Sequence, residues 1–282
     1  MIIVNVRSAH RGRNGRRFVK FPENTVLGML HLPALPGSPG NTMTVEAIEA
    51  FALRDAESLI EEGVNGLIVE NFGDAPFYPG SLPPITVACL SRLAFQVKQR
   101  YPAIPLGVNA LRNDGRSALA VAAASGAEFI RVNVLCGARL TDQGLIEGIA
   151  HELMRDRQQI AAESIQVWAD VNVKHSAPLA DRPVEEQVAD TIQRGLADAV
   201  IASGSATGQP TALGEVKRFR QVAGETPVFV GSGVSSDNVQ QFLLHADGVI
   251  VGSAFKKGAG ATEQVDRMAV REFMQRVADA AK

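Results

Sequence analysis

The sequence predicts a (β/α)8 barrel, and three observations carry that expectation. Short apolar runs rich in Val and Ile alternate with longer stretches of helical spacing eight times between Thr25 and Ala280. Strict alternation makes the strands parallel with right-handed crossovers, and eight such units close into a barrel. The last two strand-like runs stop on small residues, PVFVGSGV at 227–234 and ADGVIVGSAFK at 246–256, the place where such barrels hold a phosphate. A doubly wound open sheet is the competing arrangement, but the glycine fingerprint expected after its first strand is missing.

Composition sets the frame. The 282 residues are 46% hydrophobic and 21% charged, as expected of a chain that buries a sizeable core, and no apolar run is long enough to span a bilayer. A net charge of −2 argues against general affinity for nucleic acid. Cys89 and Cys136 have no metal or redox spacing. Cys89 falls in a helical stretch and reads as a small buried hydrophobe, whereas Cys136 follows a strand at the catalytic end and could line a site. A reducing cytoplasm is the expected location.

Residues 1–22 form a basic arm with Arg7, Arg11, Arg13, Arg16, Arg17 and Lys20 and no acid. Such a run is either a solvated tail or a peripheral contact to an anionic membrane surface or partner. Residues 23–282 are expected to form one barrel domain, since no Ser/Gly/Pro-rich linker divides them. Strands are predicted at Thr25–Leu32, Gly66–Glu70, Pro105–Leu111, Glu128–Leu135, Gln166–Val173 and Ala197–Ser203, followed by the two terminal runs. Helical spacing is predicted over Val45–Glu62, Ile85–Arg100, Arg116–Ser125, Leu145–Ser164, Val184–Arg194 and Gly214–Val222. A short helix carries Val239, Phe242 and Leu243, and Gln264–Ala280 is the last. Gly63 fits a helix C-terminal stop.

Chemistry in this fold sits where strands end. Those ends carry His31, Glu70, Asn71, Asn109, Arg131, Asn133, Asp170, Asn172, Lys174 and His175, a dense polar set for strands that are normally apolar on both faces. Counting by twos places Asp170, Asn172 and Lys174 on one face pointing into the mouth. Either these residues form a structural network, with Arg131 paired to Asp170 or Glu70, or they floor a ligand pocket. In the second case Lys174, His175, Asp170 and Glu70 are the candidates for proton transfer, with imine formation at Lys174 a lesser option. The long loops after the first two strands could close the site, with Asp74 or Arg112 reaching inward. An anion cup is expected from Gly231, Ser232, Gly233, Gly252 and Ser253, with Ser203, Gly204, Thr207 and Gly208 of the sixth loop beside them. No cofactor is required; a divalent metal on Glu70, Asp170, His31 or His175 is open, although none has diagnostic ligand spacing.

The stretches GMLHLPALPGSP (28–39), VENFGDAPF (69–77), LGVNALRND (106–114) and FIRVNVLCGARLTDQGLI (129–146) resemble the BtpA/SgcQ family. So do ADVNVKHSAPL (169–179), ASGSATG (202–208), VGSGV (230–234) and DGVIVGSAFK (247–256). The resemblance covers roughly residues 25–270 and implies a relative of the ribulose-phosphate-binding barrels. Members of the family are described as membrane-complex biogenesis factors, for photosystem I in the naming case, or as nucleosidases. Together, residues and resemblance point to an enzyme binding a phosphorylated sugar or nucleotide-like molecule, with lyase, isomerase or nucleosidase-type chemistry open. A non-catalytic assembly factor is the alternative, and a homo-oligomer is expected. The basic arm looks longer than the family's usual start.

Overall fold

A computed structural model describes residues 10–11, 17–204, 211–258 and 260–280. Eight parallel strands close into a barrel in chain order. They are β1 (Thr25–His31), β2 (Gly66–Glu70), β3 (Leu106–Asn109), β4 (Phe129–Val132), β5 (Gln166–Val171), β6 (Ala199–Ala202), β7 (Val228–Val230) and β8 (Gly248–Val251). The outer helices are α1 (Val45–Glu61), α2 (Pro84–Arg100), α3 (Gly115–Ser125), α4 (Ala150–Gln159), α5 (Val184–Gln193), α6 (Leu213–Ala223), α7 (Val239–Leu243) and α8 (Arg267–Ala280). Of the basic arm, His10–Arg11 pairs antiparallel with Arg17–Phe18; Arg7, Arg13 and Arg16 lie outside the described residues.

Local chemistry starts and stops the helices. Thr44 accepts a hydrogen bond from the Ala47 N–H to open α1, and Gly63 follows its end at φ +95°. Asp114 caps α3 through the Ser117 N–H and also accepts from the Leu82 N–H, so one carboxylate ties the loop after β2 to the helix after β3. Gly126 ends α3 in the left-handed conformation.

Alternation along the strands separates two cores. One lies between barrel and helices; the other fills the barrel with Leu27, Met29, Ile68, Phe129, Trp168, Ile201, Phe229 and Ile250. Trp168 is sandwiched between Phe129 and Phe229, with centroids 4.2 and 4.3 Å away, and Phe21 meets all three rings edge-on. Gly107 makes room for that stack, since a Cβ there would lie 2.2 Å from the Phe129 ring. Gly107→Ala is therefore expected to destabilise the fold by about 1–3 kcal/mol through overpacking, read as a lower denaturation midpoint at unchanged slope. An unchanged midpoint would mean that the aromatic floor yields freely.

Two expectations are corrected. The start of the predicted helix Leu145–Ser164 is instead the second strand of a hairpin: Ala138–Thr141 pairs with Gly144–Glu147, and α4 begins only at Ala150. The turn Asp142-Gln143-Gly144 makes the difference. Gly144 sits at φ +93°, and the Thr141 hydroxyl accepts from the Gln143 N–H while donating to the Gly144 carbonyl. Ser176–Pro178 adds a third strand to this hairpin. The second correction is Asn172, which sits at φ +59° after β5 has ended at Val171. Alternation stops there, so Asn172 does not share a face with Asp170. Among the described residues no helix is long and apolar enough to cross a membrane.

Candidate functional site

Strand register assembles the polar floor. His31 is paired with Glu70, Glu70 with Asn109, and Asn109 with Arg131, so the inward ends of β1 to β4 stand at one level. Above them opens a cavity of about 600 Å³, within the usual range of small-molecule sites. His31, Glu70, Arg131 and Asn133 form its floor, and Arg112, Lys174 and His175 line one side with Asp142 of the hairpin. Gly231, Ser232, Gly233, Gly252 and Ser253 line the side beneath β7 and β8.

The Arg131 and Asp170 side chains form a two-pronged ion pair, Nε to Oδ2 and Nη2 to Oδ1, both at 3.0 Å. Asn133 donates to the same carboxylate at 2.8 Å, as does the Ser203 hydroxyl. Burial works against the Arg131 charge, but Asp170 outweighs it and holds the guanidinium more firmly protonated than usual. With four donors on its two oxygens, Asp170 anchors Arg131 and has no free lone pair directed at a ligand. Asn109 donates to the Arg131 carbonyl and to Asn133, behind the cavity wall.

His31 and Glu70 are tuned differently. The His31 Nδ1 donates to the Ala261 carbonyl at 2.9 Å, which leaves Nε2 as the acceptor, 3.5 Å from Glu70 Oε1. Burial, then Lys256, pushes the imidazole down to about 3, so it is neutral at physiological pH. Burial drives the Glu70 carboxyl up to about 7, despite the opposing pull of Arg131. With the imidazole neutral, their 3.5 Å contact is not an ion pair. Phe72 stacks on the His31 ring, centroids 4.4 Å apart. Gly252 lets the ring fit, because a Cβ there would lie 2.6 Å from Cε1.

Lys174 carries an amino group into the cavity without a hydrogen-bond partner among the described residues, and its pKa is lowered first by burial, then by Arg131. Beside it, His175 is lowered by partial burial and the neighbouring Arg112 and Lys174. On the facing wall, the N–H groups of Ser232, Gly233 and Ser253 make no hydrogen bond within the described chain. The Ser232 hydroxyl is buried and likewise unpartnered. Gly231 must be glycine to pass its neighbours, since a Cβ would fall 2.6 Å from Ile201 Cγ2 and 3.3 Å from the Arg131 guanidinium.

Other expected site residues stand elsewhere. Asn71 bonds the backbone of Leu111, and Asp74 accepts from the Leu35 N–H and Asn71, so both latch loops outside the cavity. Asn172 bridges Arg139 and the buried Glu215. Gly204 packs on Thr211, while Thr207 and Gly208 lie outside the described residues. Cys136 lines a separate outer cavity beside α4 and α5, and burial pushes its thiol up. Among the described residues no three His, Cys, Asp or Glu side chains gather as metal ligands. Sequence reading missed Asp142 as a cavity residue, because the segment between the fourth strand and the helix predicted from Leu145 was left as an unassigned connection, and the hairpin that presents Asp142 was not foreseen.

The barrel is similar to N-(5'-phosphoribosyl)anthranilate isomerase from Pyrococcus furiosus, at TM-score 0.56 and 15% identity, covering 91% of this chain and 99% of that one. It is equally similar to KGPDC from Streptococcus mutans, at TM-score 0.56 and 13% identity, covering 92% and 100%. At such identities the likeness shows the fold alone. Among sequences, the photosystem I biogenesis protein BtpA of Synechocystis sp. is 43% identical over 92% of this chain and 90% of its own length. A protein of Thermococcus kodakarensis is 43% identical over 90% of this chain and 95% of its own, and a mitochondrial protein of Caenorhabditis elegans 37% identical over 89% and 92%. The BtpA family model matches residues 22–279, and the chain belongs to the BtpA family.

Proposed function

We propose that this barrel is an enzyme acting on a phosphorylated sugar or nucleotide-like small molecule, with Glu70 as the proton carrier. The observation that carries the reading is a carboxyl held near pKa 7 in a cavity whose facing wall offers backbone N–H groups that are unengaged among the described residues. An anion on the N–H groups of Ser232, Gly233 and Ser253 would position the substrate, as phosphates are held at such loops. A substrate so placed lies above Glu70, which in its ionised form can take a proton from carbon or oxygen. Neutral His31, fixed by Ala261, stands 3.5 Å from Glu70 and adds no positive charge that would hold the carboxyl ionised. Lys174 faces the same space and offers the charge that a developing oxyanion requires.

The experiment is a thermal-shift titration with D-ribose 5-phosphate, comparing the protein with Gly233→Asp. Binding to the folded state raises its stability by about 2.7 kcal/mol at a hundred times Kd, which is a shift of several degrees for a chain of this size. The variant places a carboxylate at the anion position and is expected to lose the shift while keeping its circular dichroism spectrum. An equal shift in both proteins removes the anion from these loops.

A second reading is favoured by the printed name of the Synechocystis relative, that of a non-catalytic biogenesis factor docking through the basic arm. Relatives from Thermococcus kodakarensis, at the same 43% identity, and from Caenorhabditis elegans, at 37%, carry no such name and match along the barrel, which supports a role residing in the shared barrel instead. Deleting residues 1–18, which removes five of the six basic residues of the arm and leaves Phe21 in the barrel, separates the two: the assembly reading expects weaker binding to anionic vesicles, an effect that fades with salt.

A further inference from the structure

The charges of the cavity do not close with one anion. Arg131 is neutralised by Asp170, and Lys174 has a use in stabilising an oxyanion, but Arg112 is unaccounted for. Its side chain lines the cavity at 8% exposure, and its one hydrogen bond among the described residues runs from Nη2 to the Lys174 carbonyl at 2.5 Å. It forms no ion pair among the described residues; the carboxylates that pull on it from a distance are Asp170, Asp142 and Glu70. Asp170 is committed to Arg131, burial raises the Glu70 carboxyl toward its neutral form, and Asp142 is exposed on its turn, where water screens it. Burial accordingly pulls the guanidinium below its usual range. A guanidinium has five N–H donors, and a buried one left without an anion is costly.

Topology says where that charge stands. Arg112 follows β3 and bonds the segment after β5, so it crosses above β4. In the ring of eight, β3 lies opposite β7 and β4 opposite β8. Arg112 therefore faces the Gly231–Gly233 and Gly252–Ser253 loops across the mouth.

We infer that the ligand carries two anionic groups at opposite ends, a phosphate on the loops after β7 and β8 and a second phosphate or a carboxylate on Arg112. The inference rests on the phosphate reading above and narrows it to a substrate class. Arg112 is suited to the task because its planar fork binds either group through paired N–H donors.

The test measures affinity for three probes by calorimetric titration: D-ribose 5-phosphate with one anion, D-ribulose 1,5-bisphosphate with two phosphates, and 6-phosphogluconate with a phosphate and a carboxylate. The two-anion probes are expected to bind about 10- to 100-fold more tightly than ribose 5-phosphate. Whichever of them binds better identifies the second group. Arg112→Met should erase that advantage and leave ribose 5-phosphate affinity unchanged, while Arg112→Lys should restore part of it, which also controls for misfolding. Equal affinity for one- and two-anion probes, or an advantage that survives Arg112→Met, overturns the inference and leaves the phosphate loops standing. If no probe binds the unmodified protein, the phosphate reading fails and takes the inference with it.

Discussion

Replacing Glu70 by Gln is expected to cut kcat/KM by about 10²–10⁴-fold, the usual loss for an acid–base group, and to change the pH profile as well. The carboxyl must be ionised to accept a proton and its pKa stands near 7, so kcat/KM of the unmodified protein should fall as pH drops below about 7. The residual rate of Glu70→Gln should lack that limb. Stability gives the same test without a substrate. Burial raises the folded-state pKa of Glu70 from 4.5 to about 7, so the stability tied to its protonated form is fully present below 4.5 and is lost as pH rises through about 7. The loss is of the order of 3 kcal/mol. Glu70→Gln should therefore be the more stable protein at pH 8, by about that margin, while the difference vanishes near pH 4.5. Since His31 titrates in both proteins, the comparison isolates the carboxyl. A difference independent of pH would show that Glu70 ionises normally, and would withdraw it as the proton carrier.

Asp170→Ala should act through the fold. The variant leaves Arg131 buried without its counter-charge and removes the acceptor used by Asn133 and Ser203. Breaking such a pair costs about 3–5 kcal/mol, or a fall in Tm of about 5–8 °C in a chain of this length. Chemical denaturation at pH 7 measures it directly. Unchanged stability together with abolished turnover would return Asp170 to the catalytic set where sequence reading had placed it.

That reassignment shows what the sequence could and could not reveal. Alternation of Val and Ile with polar residues marked His31, Glu70, Arg131 and Asp170 as inward-facing, because strand geometry imposes a period of two. The same signal does not say whether a polar side chain faces a ligand or a neighbour. Asp170 is saturated because Ser203 and Asn133 arrive from β6 and from beyond β4, a non-local convergence that no spacing records. Asn172 was misplaced for a local reason, since its left-handed backbone ends the period that the count assumed. The second strand of the hairpin, Gly144–Glu147, was read as the start of a helix because Leu145, Ile146 and Ile149 also fit helical spacing; the turn at Gly144 decided otherwise. The glycines were easier to find. Gly231 and Gly252 stand where a Cβ would collide with Ile201 and His31, a crowding that the reading of these small residues as an anion loop did not foresee.

The most direct measurement is a crystal structure of the protein soaked with D-ribulose 1,5-bisphosphate. The account predicts one phosphate within hydrogen-bond distance of the Ser232, Gly233 and Ser253 N–H groups, the other on the Arg112 guanidinium, and the sugar carbons above Glu70. A ligand seated instead in the outer cavity beside Cys136, with the space above Glu70 holding only water, would contradict it.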